Sequence, residues 1–456
     1  MKRFFLTIIA ALAGFCVYSQ HLNVNFDYSV YMLSDKRSFV ETYLLIDGKS
    51  VNYVVNDVNL ESKIDVTMVF KNGDDLAEFR HFTVSNPPLP DTTEVFPDFV
   101  DVQRIFIPQG IYNFELKIYD LNAPDSLKKT ITRHEILTID IPQNQAAIGG
   151  VELLSSFMPT QEKTINYKNG YECIPYCNDL FPVETEFLRF YTEFYNIANE
   201  LGGLGSCSVY TFIRDAKTLK TIEGHSSSQN INAMNRYQFM KEINIKKLPA
   251  GKYFLTIEVR DSNNKMCVST SKYFERENVA VPTKPYKYAN KTLRCADMFK
   301  NVDTLINVIN NFKYLADTAE TAELEKAVRS ADMFIMQNFM YNFWICRNQF
   351  EPEISFIDYV KRIDIADNKN YSNDQKQILF RYGIPNTIVA DSQKPYEVWH
   401  YYKIGNQTNI KFVFETGNNT LLHSNMPCEI QSANWQKQLF GGRELTDQET
   451  VLFEGL

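Results

Sequence analysis

Six histidines, His21, His81, His134, His225, His400 and His423, together with 55 Asp and Glu residues, are the groups most suited to proton transfer near neutral pH. His400 and His423 fall in the same C-terminal domain. With Glu397 or Asp374 they make the single acid/base set that the spacing offers, because a histidine titrates near neutrality and a carboxylate can orient it. Such a set would suit a hydrolase acting on envelope polymer, with a site near His400 and Asp374. No G-x-S-x-G elbow, H-E-x-x-H helix, phosphate loop or dinucleotide fingerprint accompanies it. No catalytic, cofactor-binding or metal-ligating residue is therefore assigned, and the chain reads as a non-enzyme.

Cysteine is the other reactive type. Cys16 lies in the leader described below, and seven cysteines follow it: Cys173, Cys177, Cys207, Cys267, Cys295, Cys346 and Cys428. An odd number forbids complete intrachain pairing. Cys173 and Cys177, in YECIPYCND, are the pair whose spacing suits a small disulfide loop in an oxidising compartment. Zinc would ask for a second pair or for histidines at ligand spacing. A thiol-redox motif has two intervening residues, and here there are three.

That compartment is set by the first residues. Lys2 and Arg3 precede an apolar run from Phe4 to Val17, and small Ser19 follows. This is the pattern of a secretory signal over residues 1–19, cut after Ser19. The run is shorter than the ~20 residues that span a bilayer, and no later stretch approaches that length. The mature chain is expected to be exported, periplasmic or outer-membrane associated, with no transmembrane span and at most a peripheral contact with membrane. Without Lys2 and Arg3, 45 basic residues face 55 acidic ones, and residues 20–147 alone carry 11 against 19. So acidic a surface excludes nucleic acid as a partner.

The elements that position these residues show first in the aromatics, 26 Tyr and 33 Phe against 3 Trp, which favour strands. An internal repeat is more specific. IPQGIYNFELKIYDLN (107–122) and LPAGKYFLTIEVRDSN (248–263) share Pro108/Pro249, Gly110/Gly251, Tyr112/Tyr253, Asp120/Asp261 and Asn122/Asn263 at one offset of 141 residues. Each copy passes from a Pro/Gly turn into period-two alternation, the mark of a half-buried strand. Val40-Glu41-Thr42 and Val183-Glu184-Thr185, 143 apart, extend the match. Ile64, Val66, Met68 and Phe70 add another such strand. The reading is two antiparallel β-sandwich (Ig-like) domains, 20–147 and 148–280. NPPLPDTTEVFPD (86–98) reads as an ordinary long connection.

A Pro-containing linker, 281–292, leads into a helical plus α/β region, 293–456. Val302, Leu305, Ile306, Ile309 and Phe312 form one helical stripe. Leu324, Val328, Ala331, Ile335, Asn338 and Asn342 form a second along a single helix, with Asp317 and Glu320 as its capping box. Phe356, Tyr359, Val360 and Ile363 mark a third, shorter helix. Ser372 and Gln375 cap a fourth, which Gly383 and Pro385 end. Strands follow: Val398, His400 and Tyr402 alternate with Glu397, Trp399 and Tyr401, so one face buries Trp399 while the other carries the imidazole. Ile410, Phe412 and Phe414 form its neighbour.

The run NYSNDQKQILFRYGIPNTI, then KPYEVWHYYKIG and NIKFVFE, resembles the C-terminal domain of the GWxTD family of bacterial exported proteins. Residues 370–374 stand at the naming motif, with Tyr371 in place of Trp and Asp374 retained. Arg381, Tyr382, Gly383, Pro385, Glu397, Trp399, His400 and Tyr401 keep the pattern better. The resemblance implies an envelope architecture and no established activity. Taken with the missing catalytic motifs, it predicts a binding or scaffold protein of the cell envelope whose C-terminal module docks a protein partner. Tyr371, Asp374, Arg381, Tyr382, Trp399 and Tyr401 are the candidate docking residues, Asp374 and Arg381 lying seven apart on one helical face. Gly383 and Pro385, with Pro108, Gly110, Tyr112, Pro249, Gly251 and Tyr253, are expected to be structural.

Overall fold

The computed structural model describes residues 22–278 and 291–456, apart from 34, 126–129, 204, 294, 296, 297 and 392. The leader and the two linker prolines, Pro282 and Pro285, lie outside the described residues. The chain is built mostly of antiparallel sheets, with helices gathered toward the C-terminus.

The main strands of the first module are β1 (Val24–Met32), β2 (Ser38–Ile46), β3 (Lys63–Asn72), β4 (Asp75–Ser85), β5 (Phe99–Phe106), β6 (Gly110–Asp120) and β7 (Ile131–Ile139). They form two sheets, β1-β2-β5 and β7-β6-β3-β4. Alternation decides the packing: Ile64, Val66, Met68 and Phe70 share one face of β3 and are fully buried. They meet Val40, Leu44 and Ile105 of the other sheet in one core. The second module runs through β8 (Glu152–Pro159), β9 (Tyr171–Pro175), β10 (Phe187–Tyr195), β11 (Ser206–Asp215), β12 (Thr221–Asn232), β13 (Arg236–Asn244), β14 (Gly251–Arg260) and β15 (Met266–Arg276). Its sheets are β13-β10-β8-β9 and β15-β14-β11-β12. The second of these has the same strand order as β7-β6-β3-β4.

The repeated residues have the same task in both copies. Tyr112 donates from its hydroxyl to the Pro108 carbonyl (2.9 Å), and Tyr253 does so to that of Pro249 (3.0 Å). Each ring lies over the glycine two residues earlier, where an added Cβ would sit 3.3 Å from the Tyr112 ring or 3.0 Å from the Tyr253 hydroxyl. Asp120 and Asp261 each accept from the N–H two residues on, of Asn122 and Asn263, closing the turn after the strand (both 2.8 Å). The Val-Glu-Thr match does not extend the repeat. Val40–Thr42 lies within β2, whereas Val183, Glu184 and Thr185 form a turn after Pro182, closed by a bond from the Thr185 N–H to the Pro182 carbonyl (3.0 Å). The counterpart of β2 by sheet order is β10, which starts only at Phe187.

The C-terminal region contains α1 (Val302–Asn311), α2 (Thr318–Ser330), α3 (Met333–Ile345), α4 (Pro352–Asn368) and α5 (Asn373–Tyr382). The strands β16 (Thr387–Ala390), β17 (Tyr396–Ile404), β18 (Gln407–Glu415) and β19 (Thr420–Ser424) then form one sheet in that order, followed by α6 (Trp435–Phe440) and α7 (Asp447–Phe453). The capping box of Asp317 and Glu320 starts α2 as expected. The single stripe from Leu324 to Asn342 is in fact two helices. Ala331 takes a left-handed conformation (φ 50°), and the Asp332 carboxylate accepts from the N–H groups of Phe334 and Ile335, beginning α3. A side chain that caps a new helix outweighs an unbroken apolar pattern. The third predicted helix is not short: with Pro352 in its first turn, α4 runs 17 residues.

The three modules interlock. Between the first two, Gly150 donates to the Val30 carbonyl (2.8 Å), and a Cβ at Gly150 would fall 2.6 Å from Ser29 Cβ. Lys168, 6% exposed, pairs with Glu41 of β2 and Glu152 of β8. Between the second module and the helices, Arg347 donates to the Thr218 carbonyl (2.9 Å) while gripping Glu320 through both terminal nitrogens (3.0 and 2.8 Å). Arg260 reaches Glu351 (2.9 Å). Phe254 and Tyr273 of the second module enter the helical core with Phe312, Trp344 and Tyr359.

Candidate functional site

The residues of the C-terminal block are held by one another. The Ser372 hydroxyl accepts from the Gln375 N–H (3.2 Å), and the Gln375 Oε1 accepts in turn from the Ser372 N–H (3.0 Å), so the predicted capping box is present. Gln375 also donates to Glu397 (3.0 Å), the carboxylate that receives the Trp399 indole N–H. Trp399 is fully buried between the rings of Tyr371 (4.9 Å) and Phe414 (5.1 Å). Asp374 accepts from the backbone N–H of Leu421 on β19 (2.8 Å), tying α5 to the sheet. Gly383 ends α5 at φ 87°, ψ −163°, a backbone region reserved for glycine, and its carbonyl accepts from Tyr401 (2.8 Å). Pro385 is half-buried after it.

A docking surface on α5 needs Arg381 exposed. It is buried instead, 6% exposed, and paired with Glu429, which also receives the Tyr382 hydroxyl (2.7 Å). The guanidinium is incompletely satisfied: its Nε and Nη2 have no hydrogen-bond partner. The seven-residue spacing of Asp374 and Arg381 predicts a shared outer face. The apolar residues Ile378, Leu379 and Phe380 turn Arg381 inward instead, while Asp374 stays half-exposed.

Nor does the fold assemble the proposed acid/base set. Trp399, Tyr401, Phe412 and Phe414 lie on the sheet face packed by α4 and α5, with Asp374 on that side. His400, opposite Lys411 in the β17/β18 register, is on the other face, where Tyr396, Val398 and Val413 pack against α6 and α7. The sheet separates His400 from Asp374. Burial and then the Lys411 ammonium push the His400 pKa down. His423 is stacked on Trp435 at 5.3 Å, also with its pKa lowered by burial.

The disulfide expectation is corrected. Cys173 and Cys177 are both free and buried. Cys173 sits in β9 against Met240, its Sγ 3.5 Å from the Met240 Sδ, while Cys177 packs with Tyr43 and Val102 of the first module. Four residues of extended chain cover ~13 Å, well beyond the ~7 Å Cα separation that a disulfide tolerates. Burial pushes the Cys173 thiol up to about 12. Among the described residues, no group of three or more His, Cys, Asp or Glu side chains is placed to hold a metal ion, and no helix is long and apolar enough to cross a membrane.

Two further features carry no motif in the sequence. The first is a polar cavity of about 450 Å³ where all three modules meet, bounded by β1 and β7, by residues 148–151, 177–179 and Lys272, and by the β17/β18 turn. Lys272 donates to both oxygens of Asp27 across the first module boundary (3.2 and 3.0 Å). Tyr28 meets Thr408 of the C-terminal sheet at 3.0 Å. The second is β16, the outer strand of that sheet, all four of whose residues are exposed. Ile384, Ile388, Val389 and Tyr402 give the neighbouring surface an apolar character.

No protein family matches the chain, and no curated protein matches its sequence. Among solved structures it is similar to CBD12 from CALX1.2, at 10% identity and a TM-score of 0.13, over 50% of this chain and 76% of that one. It is also similar to a Bacteroides uniformis beta-glucuronidase, at 10% identity and a TM-score of 0.20, over 61% of this chain. The chain spans about a third of the glucuronidase, 32%. At those scores neither likeness carries an argument.

The cavity escaped the sequence because its walls come from segments hundreds of residues apart, each polar residue ordinary in its own strand. The edge strand had a local signal: Thr387, Ile388 and Val389 are β-formers placed after a Gly/Pro helix stop.

Proposed function

We propose that this chain is a non-enzymatic binding or scaffold protein of the bacterial cell envelope, with a GWxTD-like C-terminal module that docks a protein partner. The observation that carries it is β16, the outer strand of its sheet, whose far edge pairs with no strand among the described residues. The residues of the α5 block, Tyr371, Asp374, Arg381, Tyr382, Trp399 and Tyr401, act as its support, bonded among themselves and to the sheet. The docking element is the strand they hold outward. An unpaired edge offers a row of backbone donors and acceptors to an incoming strand, and flanking apolar side chains add specificity. The first two sandwiches, Ig-like in this reading, space that module from the point of attachment.

The test is site-specific photo-crosslinking of the mature protein in the envelope of its own source. With the crosslinker at Ile388, one protein partner is expected at high yield, and the yield falls at least ten-fold when Val389→Pro removes a strand donor. With the crosslinker at exposed Val58 of the first module, that partner is absent. Equal recovery from Ile388 and Val58, or recovery untouched by Val389→Pro in a folded variant, contradicts the reading.

A further inference from the structure

At one end of the first module, between β2 and β3 and between β4 and β5, the chain forms a small tip sheet. Its three strands are Val54–Asn56, Asn59–Glu61 and Leu89–Pro90, in that order. The third belongs to the connection 86–98, which is fastened at several points. Asn86 accepts from the Ser62 N–H (2.7 Å) and donates to the Leu60 carbonyl (3.1 Å). The Asp91 N–H donates to the Val58 carbonyl (3.0 Å). Tyr53 packs on Phe96 at 5.0 Å and donates to the Gly48 carbonyl (2.9 Å). A tip held so firmly still leaves Val54, Val55, Val58 and Val95 45 to 70% exposed. Residues 50–62 and 86–98 carry five carboxylates, Asp57, Glu61, Asp91, Glu94 and Asp98, and neither Lys nor Arg. Of these, Asp57, Asp91 and Glu94 are exposed and have no cation partner among the described residues.

A single exposed valine needs no explanation, but several on one ordered sheet mark a contact surface. The sheet is open on one side. Pro90 blunts the outer edge of the third strand, having no N–H to donate, whereas the outer edge of Val54–Asn56 pairs with no strand among the described residues. We propose that this edge takes an extended segment of a protein partner in which apolar residues alternate with Lys or Arg. The backbone of that segment adds a strand beside Val54–Asn56, its apolar side chains cover the valines, and its cations meet Asp57, Asp91 and Glu94. Charge decides against other occupants. A second copy of the tip, an anionic lipid surface or a nucleic acid would bring like charge to those carboxylates. Because the tip is already held in place, little of its freedom is lost on contact. The tip and β16 lie in different modules, so this surface stands or falls separately from the C-terminal docking edge.

Fluorescence anisotropy of a labelled peptide of alternating valine and lysine, titrated with the full mature protein, tests this. Saturable binding that weakens as salt is raised is expected. Peptides of the same length that alternate valine with glutamate, or serine with lysine, should each bind at least ten-fold more weakly, since each lacks one of the two contacts. On the protein, Val55→Pro removes a backbone donor from the edge, and the triple variant Asp57→Asn, Asp91→Asn, Glu94→Gln removes the charge. Both should weaken binding by a similar factor, with unchanged circular dichroism. Should Val55→Pro fail to fold, the three peptides make the same comparison on the natural chain. No saturable binding of the valine–lysine peptide, equal binding of the serine–lysine peptide, or full affinity in the triple variant overturns the proposal.

Discussion

Two buried lysines join modules in this protein, and their surroundings differ. Lys168 is enclosed. Its ammonium meets Glu41 and Glu152 from opposite sides of the boundary, and the rings of Tyr31, Tyr43 and Tyr191 stand 4.8 to 5.5 Å away. Lys272 makes a comparable bridge to Asp27 but borders the cavity, with unpaired Asp179 on the same wall. For Lys272, burial opposes the charge, yet Asp27 and Asp179 hold its pKa above the ordinary lysine value. The first junction is closed without being saturated: the Tyr31 hydroxyl and Glu152 Oε1 are buried there with no hydrogen-bond partner. The second is open to water: the Asp27 side chain is 23% exposed, against 1% for Glu41 and 2% for Glu152.

The largest effect should come from breaking the enclosed junction. Lys168→Met leaves buried Glu152 without a counter-ion and Glu41 with Arg104 alone, and should cost about 3–5 kcal/mol, seen as a lower urea midpoint. Lys272→Met should cost less, about 1–3 kcal/mol, because Asp27 can hydrate through the cavity. Equal losses at the two sites would erase the distinction.

A smaller effect has a definite sign in pH. Burial is the largest influence on Glu152 and raises its pKa to about 7, despite Lys168. A carboxylate whose folded pKa is raised binds its proton more tightly folded than unfolded. Its contribution is therefore fully present below the ordinary glutamate range and is lost as pH rises toward 7. Thermal melting from pH 4.5 to 7.5 should show that component falling, and Glu152→Gln should remove it. The smallest effects are expected within the sandwiches, where Tyr112→Phe and Tyr253→Phe each delete one bond to a proline carbonyl, worth about 0.5–1.5 kcal/mol. Matching losses measured by urea denaturation would confirm that the two copies do the same work.

Local features were legible in the sequence. The Pro-x-Gly-x-Tyr repeat marked β6 and β14, the capping boxes marked the starts of α2 and α5, and alternation placed Trp399 and His400 on opposite faces of β17. What failed were inferences across distance. The Val-Glu-Thr match ignored that Pro182 forces a turn. The seven-residue spacing of Asp374 and Arg381 gave a helical face but not which way it pointed, and the apolar residues Ile378, Leu379 and Phe380 turned Arg381 toward Glu429. The cavity had no local signature, since Asp27, Asp179, Lys272 and Asn409 become neighbours only when three modules meet.

Hydrogen exchange on the full mature chain tests the contrast between the two junctions most directly. Amides of residues 38–44 and 165–174 around Lys168 should exchange more slowly than those of residues 26–30, 133–138 and 403–410 around the cavity. Equal protection at both junctions, or stronger protection at the cavity, would contradict the account.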